Sequence, residues 1–416
     1  MPNARIADYS FLDPKVQREP FDFYRLLRHE QPVMWSDEMR CFVVSRYETI
    51  WKVLRDTETF TSIGVNGDSV IVNESVADRI RELRASGYPS VPHLVTNDPP
   101  DHGKYRKLWM GLFSQKHIAA LQPSVDRIID SLLTPFVTKG GGDFMAEFAV
   151  PVPVAVMADF LGIPLDLVPT YRTWTDAYVD PLSGMLSPER EIECAELTLD
   201  FQRFFVEEIE KRRREPRDDG ITKLIHEPVP GEDRTMDTAE LLAAIQQFLV
   251  AGGETTTFTL GSGVLILAQR PDLAEALQED PKRLINFTEE VLRLRSPSQG
   301  LYRAATKDTE IEGVAIPKGA IVNVRIGAAN RDEAIFEDAD EMHLDRRNAA
   351  RHLTFGSGVH TCLGAQLARM EVNTTFSRLL SQVRNIRVDE AAGGYDYFPS
   401  VFFMGLSRLH LAFDPR

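Results

Sequence analysis

One stretch of the chain carries most of its chemical information: Phe355-Gly356-Ser357-Gly358-Val359-His360-Thr361-Cys362-Leu363-Gly364. Three glycines around a cysteine predict a tight loop that lets another body approach the backbone. Ala365 to Leu380 follows as a helix, with apolar residues at Leu367, Met370, Phe376, Leu379 and Leu380 and an interruption at Asn373. Cys362 therefore falls at or just before a helix N-terminus, where the dipole and the free amides favour thiolate over thiol. A thiolate there is a soft-metal ligand or a nucleophile. As a nucleophile it needs a base, and His360, two residues away on a loop, is poorly placed to be one. As a ligand it explains the glycines, because a flat macrocycle must lie against the backbone. A buried structural cysteine is the third reading, and the local pattern leaves all three open.

A second group is Ala251-Gly252-Gly253-Glu254-Thr255-Thr256, which interrupts an apolar run. Each glycine inside a helix costs about 1 kcal/mol relative to alanine, so two in succession call for a packing or functional reason. Thr255 can bond back to the Ala251 carbonyl and loosen the helical ladder, opening a groove wide enough for a diatomic ligand. Glu254 and Thr255 together supply an acid and a hydroxyl for proton delivery; a kinked helix with an exposed acid fits the sextet equally well. Glu290 and Arg293 stand at i, i+3 on one helix face, by themselves an ordinary ion pair.

The cysteine string resembles the haem-binding loop of the cytochrome P450 superfamily, Phe-x-x-Gly-x-x-x-Cys-x-Gly, and Phe355, Gly358, Cys362 and Gly364 match every fixed position. The resemblance runs over roughly residues 20 to 413. It implies a mainly α fold with a smaller β region, a long central helix over a haem b, and Cys362 as the axial iron ligand, whose thiolate favours O–O cleavage. The Ala251–Thr256 segment resembles the family's Ala/Gly-Gly-x-Asp/Glu-Thr. That implies that Ala251 and Gly252 border the cofactor, Thr255 steadies bound oxygen and Glu254 relays protons, so the enzyme uses oxygen plus electrons rather than peroxide alone. Glu290 and Arg293 resemble the family's Glu-x-x-Arg pair, with Arg346 as third member, a structural triad that holds the cysteine loop. Met342 stands where the family usually has phenylalanine. His102, Arg106, Arg303 and His360 are implied as partners of the two haem propionates, with Phe355, Gly356 and Gly364 shaping the cofactor loop.

Positioning these groups takes a long helix and a small β region. Residues 237–269 form an apolar stretch of about 30 residues, about 45 Å as a helix. Residues 20–30, 117–137 and 189–214 also read as helix. The last of these ends Lys211-Arg212-Arg213-Arg214, which is expected to be a solvated helix end. Residues 74–88 are expected to form a helix over the pocket mouth, and residues 214–236 a surface loop. Strands are expected at 32–35, 41–44, 311–316, 320–324 and 409–413.

The chain has 416 residues, 43% hydrophobic and 26% charged, with a net charge of -15. The charge argues against a nucleic-acid partner. Cys41, Cys194 and Cys362 lie far apart, so a disulfide framework and a zinc knuckle are unlikely expectations and a reducing cytoplasm is the simplest setting. No apolar run is long enough to span a membrane. A single domain over 1–416 is expected.

The family resemblance places the substrate pocket on separate segments supplying Val91, Leu94, Phe248, Ala251, Ser298, Leu301, Phe402, Phe403 and Met404. These imply a lipophilic substrate: terpenoid, steroid-like or aromatic. A small acidic ferredoxin with its NAD(P)H-dependent reductase is the implied electron source. Lys104, Arg106, Lys107, Arg347, Arg351 and Arg369 are expected to steer it.

Overall fold

A computed structural model describes residues 5–65, 73–183 and 186–416. It divides into two units, residues 1–61, 125–152 and 255–416, and residues 62–124 and 153–254. Three of the four boundaries fall within the helices Gln115–Thr138, Pro151–Leu161 and Thr238–Gln269, and the fourth follows the strand Phe60–Thr61.

All described strands belong to the first unit. In chain order they are β1 (Val33–Ser36), β2 (Cys41–Val44), β3 (Phe60–Thr61), β4 (Gly141–Asp143), β5 (Leu301–Ala305), β6 (Thr309–Ile311), β7 (Val314–Ile316), β8 (Ile321–Val324), β9 (Val383–Val388), β10 (Tyr395–Tyr397) and β11 (Leu406–Pro415). The β1–β2 hairpin pairs Val33 with Val44 and Ser36 with Cys41. β2 continues into a five-stranded sheet of order β1-β2-β8-β5-β3, in which β2 and β8 run parallel. Its apolar face packs with Ile50 and Leu54 of helix Tyr47–Arg55 and with Phe336. This fixes β5, and therefore Arg303, which is buried among these strands.

The expected single strand at 311–316 is instead the β6–β7 hairpin. Glu312 and Gly313 both take positive φ, 48° and 83°. Two successive left-handed residues make the tight turn whose twist suits a hairpin, and the apolar run concealed it. The helices Phe21–Glu30, Leu284–Leu294 and Ala365–Gln382 belong to the same unit.

In the second unit, residues 74–88 form a 3-10 turn, Glu74–Val76, and a helix, Ala77–Ala85, that packs on helix Pro188–Arg214 through Ile80, Leu83, Ala195 and Leu199. The segment 214–236 is not simply a loop. It contains the helix Gly220–His226, capped by Asp219, whose Oδ1 accepts from the Thr222 amide at 2.8 Å. Ile221, Leu224 and Ile225 are buried. The basic run before it is only partly solvated. Arg212 is fully buried, bonded to Glu208 at 2.6 Å and Asp219 at 2.7 Å. A buried guanidinium needs this pairing, because unpaired it would carry the full desolvation cost. No described helix is long and apolar enough to cross a membrane.

Candidate active site

The cysteine loop is shaped by two left-handed glycines, Gly356 at φ 70° and Gly358 at φ 73°. At Gly358 there is no room for a side chain either, since a Cβ would lie 3.0 Å from the Leu54 carbonyl oxygen of helix Tyr47–Arg55. The loop closes when the Cys362 amide donates to the Phe355 carbonyl at 2.8 Å. One 3-10 turn, Gly358–His360, precedes Cys362, and helix Ala365–Gln382 begins just after Gly364. Cys362 is exposed, whereas Cys41 and Cys194 are buried and burial pushes both of their thiols up to about 11. Of the three cysteines, only Cys362 sits accessible at a helix start.

Three charged groups, Glu290, Arg293 and Arg346, form a buried cluster in the same unit. Glu290 takes Arg293 in a two-pronged pair at 2.6 and 2.9 Å, and Arg346 joins its Oε2 at 3.0 Å. Arg293 also donates to the carbonyls of Asn330, Ala339 and Glu341. Burial opposes ionisation of Glu290, but Arg293 and Arg346 hold its carboxyl below the usual range. The expected triad is thus assembled, and it ties the helix to the segments that follow β8.

A second brace has no counterpart in the sequence expectations. The neighbouring Glu289 binds Arg369 of the cysteine-loop helix at 2.6 and 2.9 Å and His352 at 3.2 Å. Burial raises the Glu289 carboxyl, yet Arg369 and His352 bring it down to about 2. Arg369 then stacks over Phe355, 4.5 Å from the ring centroid. Glu289 therefore fixes both ends of the loop. Nothing local in the sequence marks it, because its partners lie far along the chain. Arg369 is consequently committed to the scaffold rather than to a docking face. Lys104 likewise is held by Asp101 and Glu232, each at 2.9 Å. Lys107, Arg347 and Arg351 are the exposed cations of the expected patch.

In the long helix the two glycines have a packing reason. A Cβ on Gly252 would lie 2.5 Å from Met157 Sδ, and one on Gly253 would touch Val154. Both neighbours belong to helix Pro151–Leu161, so the glycines admit that helix closely. Ala251 is the exposed member of the sextet and Glu254 is buried. Burial pushes the Glu254 carboxyl up; Arg172 opposes this, Asp176 and Asp180 add to it, and the net position is about 7. Arg172 Nη1 lies 3.3 Å from Glu254 Oε1. One turn further along the long helix, Thr259 Oγ1 donates to the Thr255 carbonyl at 2.8 Å.

His102 and Arg106 share one face of helix Asp101–Leu112, with His102 buried and Arg106 partly exposed. His360 and Phe355 are partly exposed on the cysteine loop. Among the expected pocket residues, Val91, Leu94, Ser298, Leu301 and Phe402 keep partial exposure. Phe403 and Met404 are buried at 7% and 1%, with Phe403 packed on Phe258. Phe248 belongs to an aromatic cluster with Trp109, Phe113 and Phe160.

The donor set suits haem. Among the described residues no group of three or more His, Cys, Asp or Glu could hold a metal ion. Cys362 would give a single thiolate to a metal that carries its other ligands, as iron does in a porphyrin. An accessible cysteine on a loop shaped by glycines fits a haem-thiolate oxidoreductase.

Comparison with known proteins agrees. The family model for cytochrome P450 matches residues 178–386. The chain is 32% identical over 413 residues to cytochrome P450 107B1 of Saccharopolyspora erythraea, covering 98% of each. It is 30% identical to a steroid C26-monooxygenase of Mycobacterium tuberculosis, covering 100% of this chain and 98% of that one. The structure of cytochrome P450 CREJ in complex with (4-ethylphenyl) dihydrogen phosphate matches with a TM-score of 0.88 at 27% identity, covering 98% and 100% of the two chains. The chain belongs to the cytochrome P450 family. It is a haem-thiolate monooxygenase whose cofactor is haem b.

Proposed function

We propose that this monooxygenase hydroxylates a lipophilic small molecule, terpenoid, steroid-like or aromatic, using O2 and two electrons from a ferredoxin-type donor served by an NAD(P)H-dependent reductase. The observation that carries the reading is the acid–alcohol pair: Glu254, buried and poised at about 7, beside Thr255 on the long helix. A group with its proton affinity near the working pH can both take up and release protons. That capacity is what oxygen reduction needs and what peroxide use alone does not.

In this reading Cys362 is the sole protein ligand to the iron. Bound through a thiolate, haem supplies the electron-rich iron at which dioxygen is split. His102, Arg106, Arg303 and His360 hold the propionates by charge-assisted hydrogen bonds. Phe355, Gly356 and Gly364 keep the loop low enough for the macrocycle, and Ala251 borders it. Thr255 would supply a hydroxyl for proton delivery, and Glu254 would replace the proton Thr255 passes on. Val91, Leu94, Ser298, Leu301 and Phe402, partly exposed and mostly apolar, bind and orient a substrate with little polar surface. The steroid monooxygenase and the aromatic phosphate complex among the relatives support this range of substrates. Lys107, Arg347 and Arg351 remain to attract an acidic donor against the overall negative charge.

Thr255→Ala tests the reading. Product formed per NADH consumed should fall about tenfold or more, with peroxide released in its place, since a positioned proton donor contributes on the order of a hundredfold. Unchanged coupling would overturn the role given to the pair.

A further inference from the structure

Seven arginines are buried among the described residues. Five of them meet a carboxylate: Arg28 with Glu333, Arg212 with Glu208 and Asp219, Arg293 and Arg346 with Glu290, and Arg331 with Asp340. Arg303 is the one assigned to the haem propionates. The seventh, Arg325, follows β8, is 2% exposed and pairs with no carboxylate among the described residues. Its Nη1 donates to the Val401 carbonyl at 2.8 Å, and its Nη2 reaches the Met39 sulfur at 3.8 Å. Its Nε is buried and meets no acceptor among the described residues. The Phe11 and Tyr24 rings lie 4.7 and 5.7 Å from the guanidinium carbon. A ring face offsets only part of what an ion loses on leaving water. The ionisable groups nearby stay neutral. Burial pushes up the Tyr24 and Tyr302 phenols and lifts the Cys41 thiol to about 11, although Arg325 pulls each the other way. None of them supplies a negative charge to answer the guanidinium.

A small cavity adjoins this group. Arg325, Gln17, Tyr24, Gln299, Ser400 and Val401 contribute to its wall, all of them in the first unit. Its volume of about 10 Å³ is room for one solvent-sized body. The Tyr24 hydroxyl is spent on Gln299 Oε1 at 2.9 Å, and Gln299 Nε2 on the Ser296 carbonyl at 2.6 Å. Ser400 Oγ accepts from the Phe402 and Phe403 amides at 3.1 and 3.0 Å, which leaves its own hydrogen to give. The wall thus offers two donors, Arg325 Nε and the Ser400 hydroxyl, together with a full positive charge. A water molecule would leave that charge unanswered, and a carboxylate, phosphate or sulfate is too large for the space. We propose that Arg325 and Ser400 form a binding site for a single monatomic anion, a halide. The ion would brace residues 400–402 against helix Phe21–Glu30, from which Tyr24 reaches the same cavity.

The test uses the haem-loaded enzyme at constant ionic strength, with gluconate exchanged for chloride or bromide. The thermal midpoint should rise and saturate, by about 2 °C or more once the halide is about a hundred times its dissociation constant. Arg325→Met removes the charge and keeps the length, so its midpoint should not respond to halide. No rise in the parent enzyme, or the same rise in Arg325→Met, overturns the proposal. Crystals of the parent enzyme soaked in bromide give a reading that does not depend on how the variant folds. An anomalous peak within hydrogen-bond reach of Arg325 Nε and Ser400 Oγ is the expected result, and its absence there overturns the site.

Discussion

Burial without a partner is the unusual condition of Glu371. Its side chain lies on helix Ala365–Gln382 at 1% exposure, its Oε2 meets no hydrogen-bond partner among the described residues, and burial alone pushes the carboxyl up to about 8. The folded protein therefore keeps a proton that the unfolded chain gives up at the ordinary value of 4.5. Between those two values the native state binds more protons than the unfolded state, so stability falls as pH rises through the window. Glu371→Gln, which stays neutral, should remove that loss. Its thermal midpoint should exceed the parent's by about 2 °C or more at pH 8.5 and should match it near pH 5. Equal differences at both pH values would contradict the assignment. Glu254 obeys the same sign rule with its window ending near 7, and there Arg172 opposes the effect of burial.

At the scale of elements, the cysteine loop is held by helix Leu284–Leu294 through two adjacent acids that do different work. Glu290 binds Arg293 and Arg346, which tie the helix to residues 330–341; Glu289 binds His352 and Arg369, on either side of the loop in sequence. Removing one partner of a buried ion pair costs about 3–5 kcal/mol, because the remaining charge is stranded. Glu289→Ala should thus lower the thermal midpoint and leave purified protein with less haem per chain; full haem content and an unchanged midpoint would remove Glu289 from the scaffold. The triad was legible because its three members sit in recognisable local strings, whereas Glu289 was not, since His352 and Arg369 carry no local mark of the contact. The same contrast holds for backbone. Helix Thr238–Gln269 was visible from its long apolar period. Helix Gly220–His226 was hidden by breakers on both sides and is stable through its buried Ile221, Leu224 and Ile225. The β6–β7 hairpin was read as one strand because Glu312, without glycine's freedom, adopts the left-handed conformation at its turn.

For the molecule as a whole, the sequence motifs distributed from residue 102 to residue 364 describe one chemistry, and the family relation covers nearly the full chain. What the motifs could not fix was which charged or apolar residue is already engaged. Lys104 and Arg369 are each paired with a carboxylate of the fold, and Phe403 and Met404 are buried. The central claim is that the accessible cysteine carries the iron. The measurement that tests it most directly is the optical spectrum of the purified protein, reduced and exposed to carbon monoxide. Thiolate ligation by Cys362 predicts a strongly red-shifted Soret band that Cys362→Ser abolishes. An imidazole-like band in fresh protein, or a red-shifted band that survives Cys362→Ser, would contradict the account.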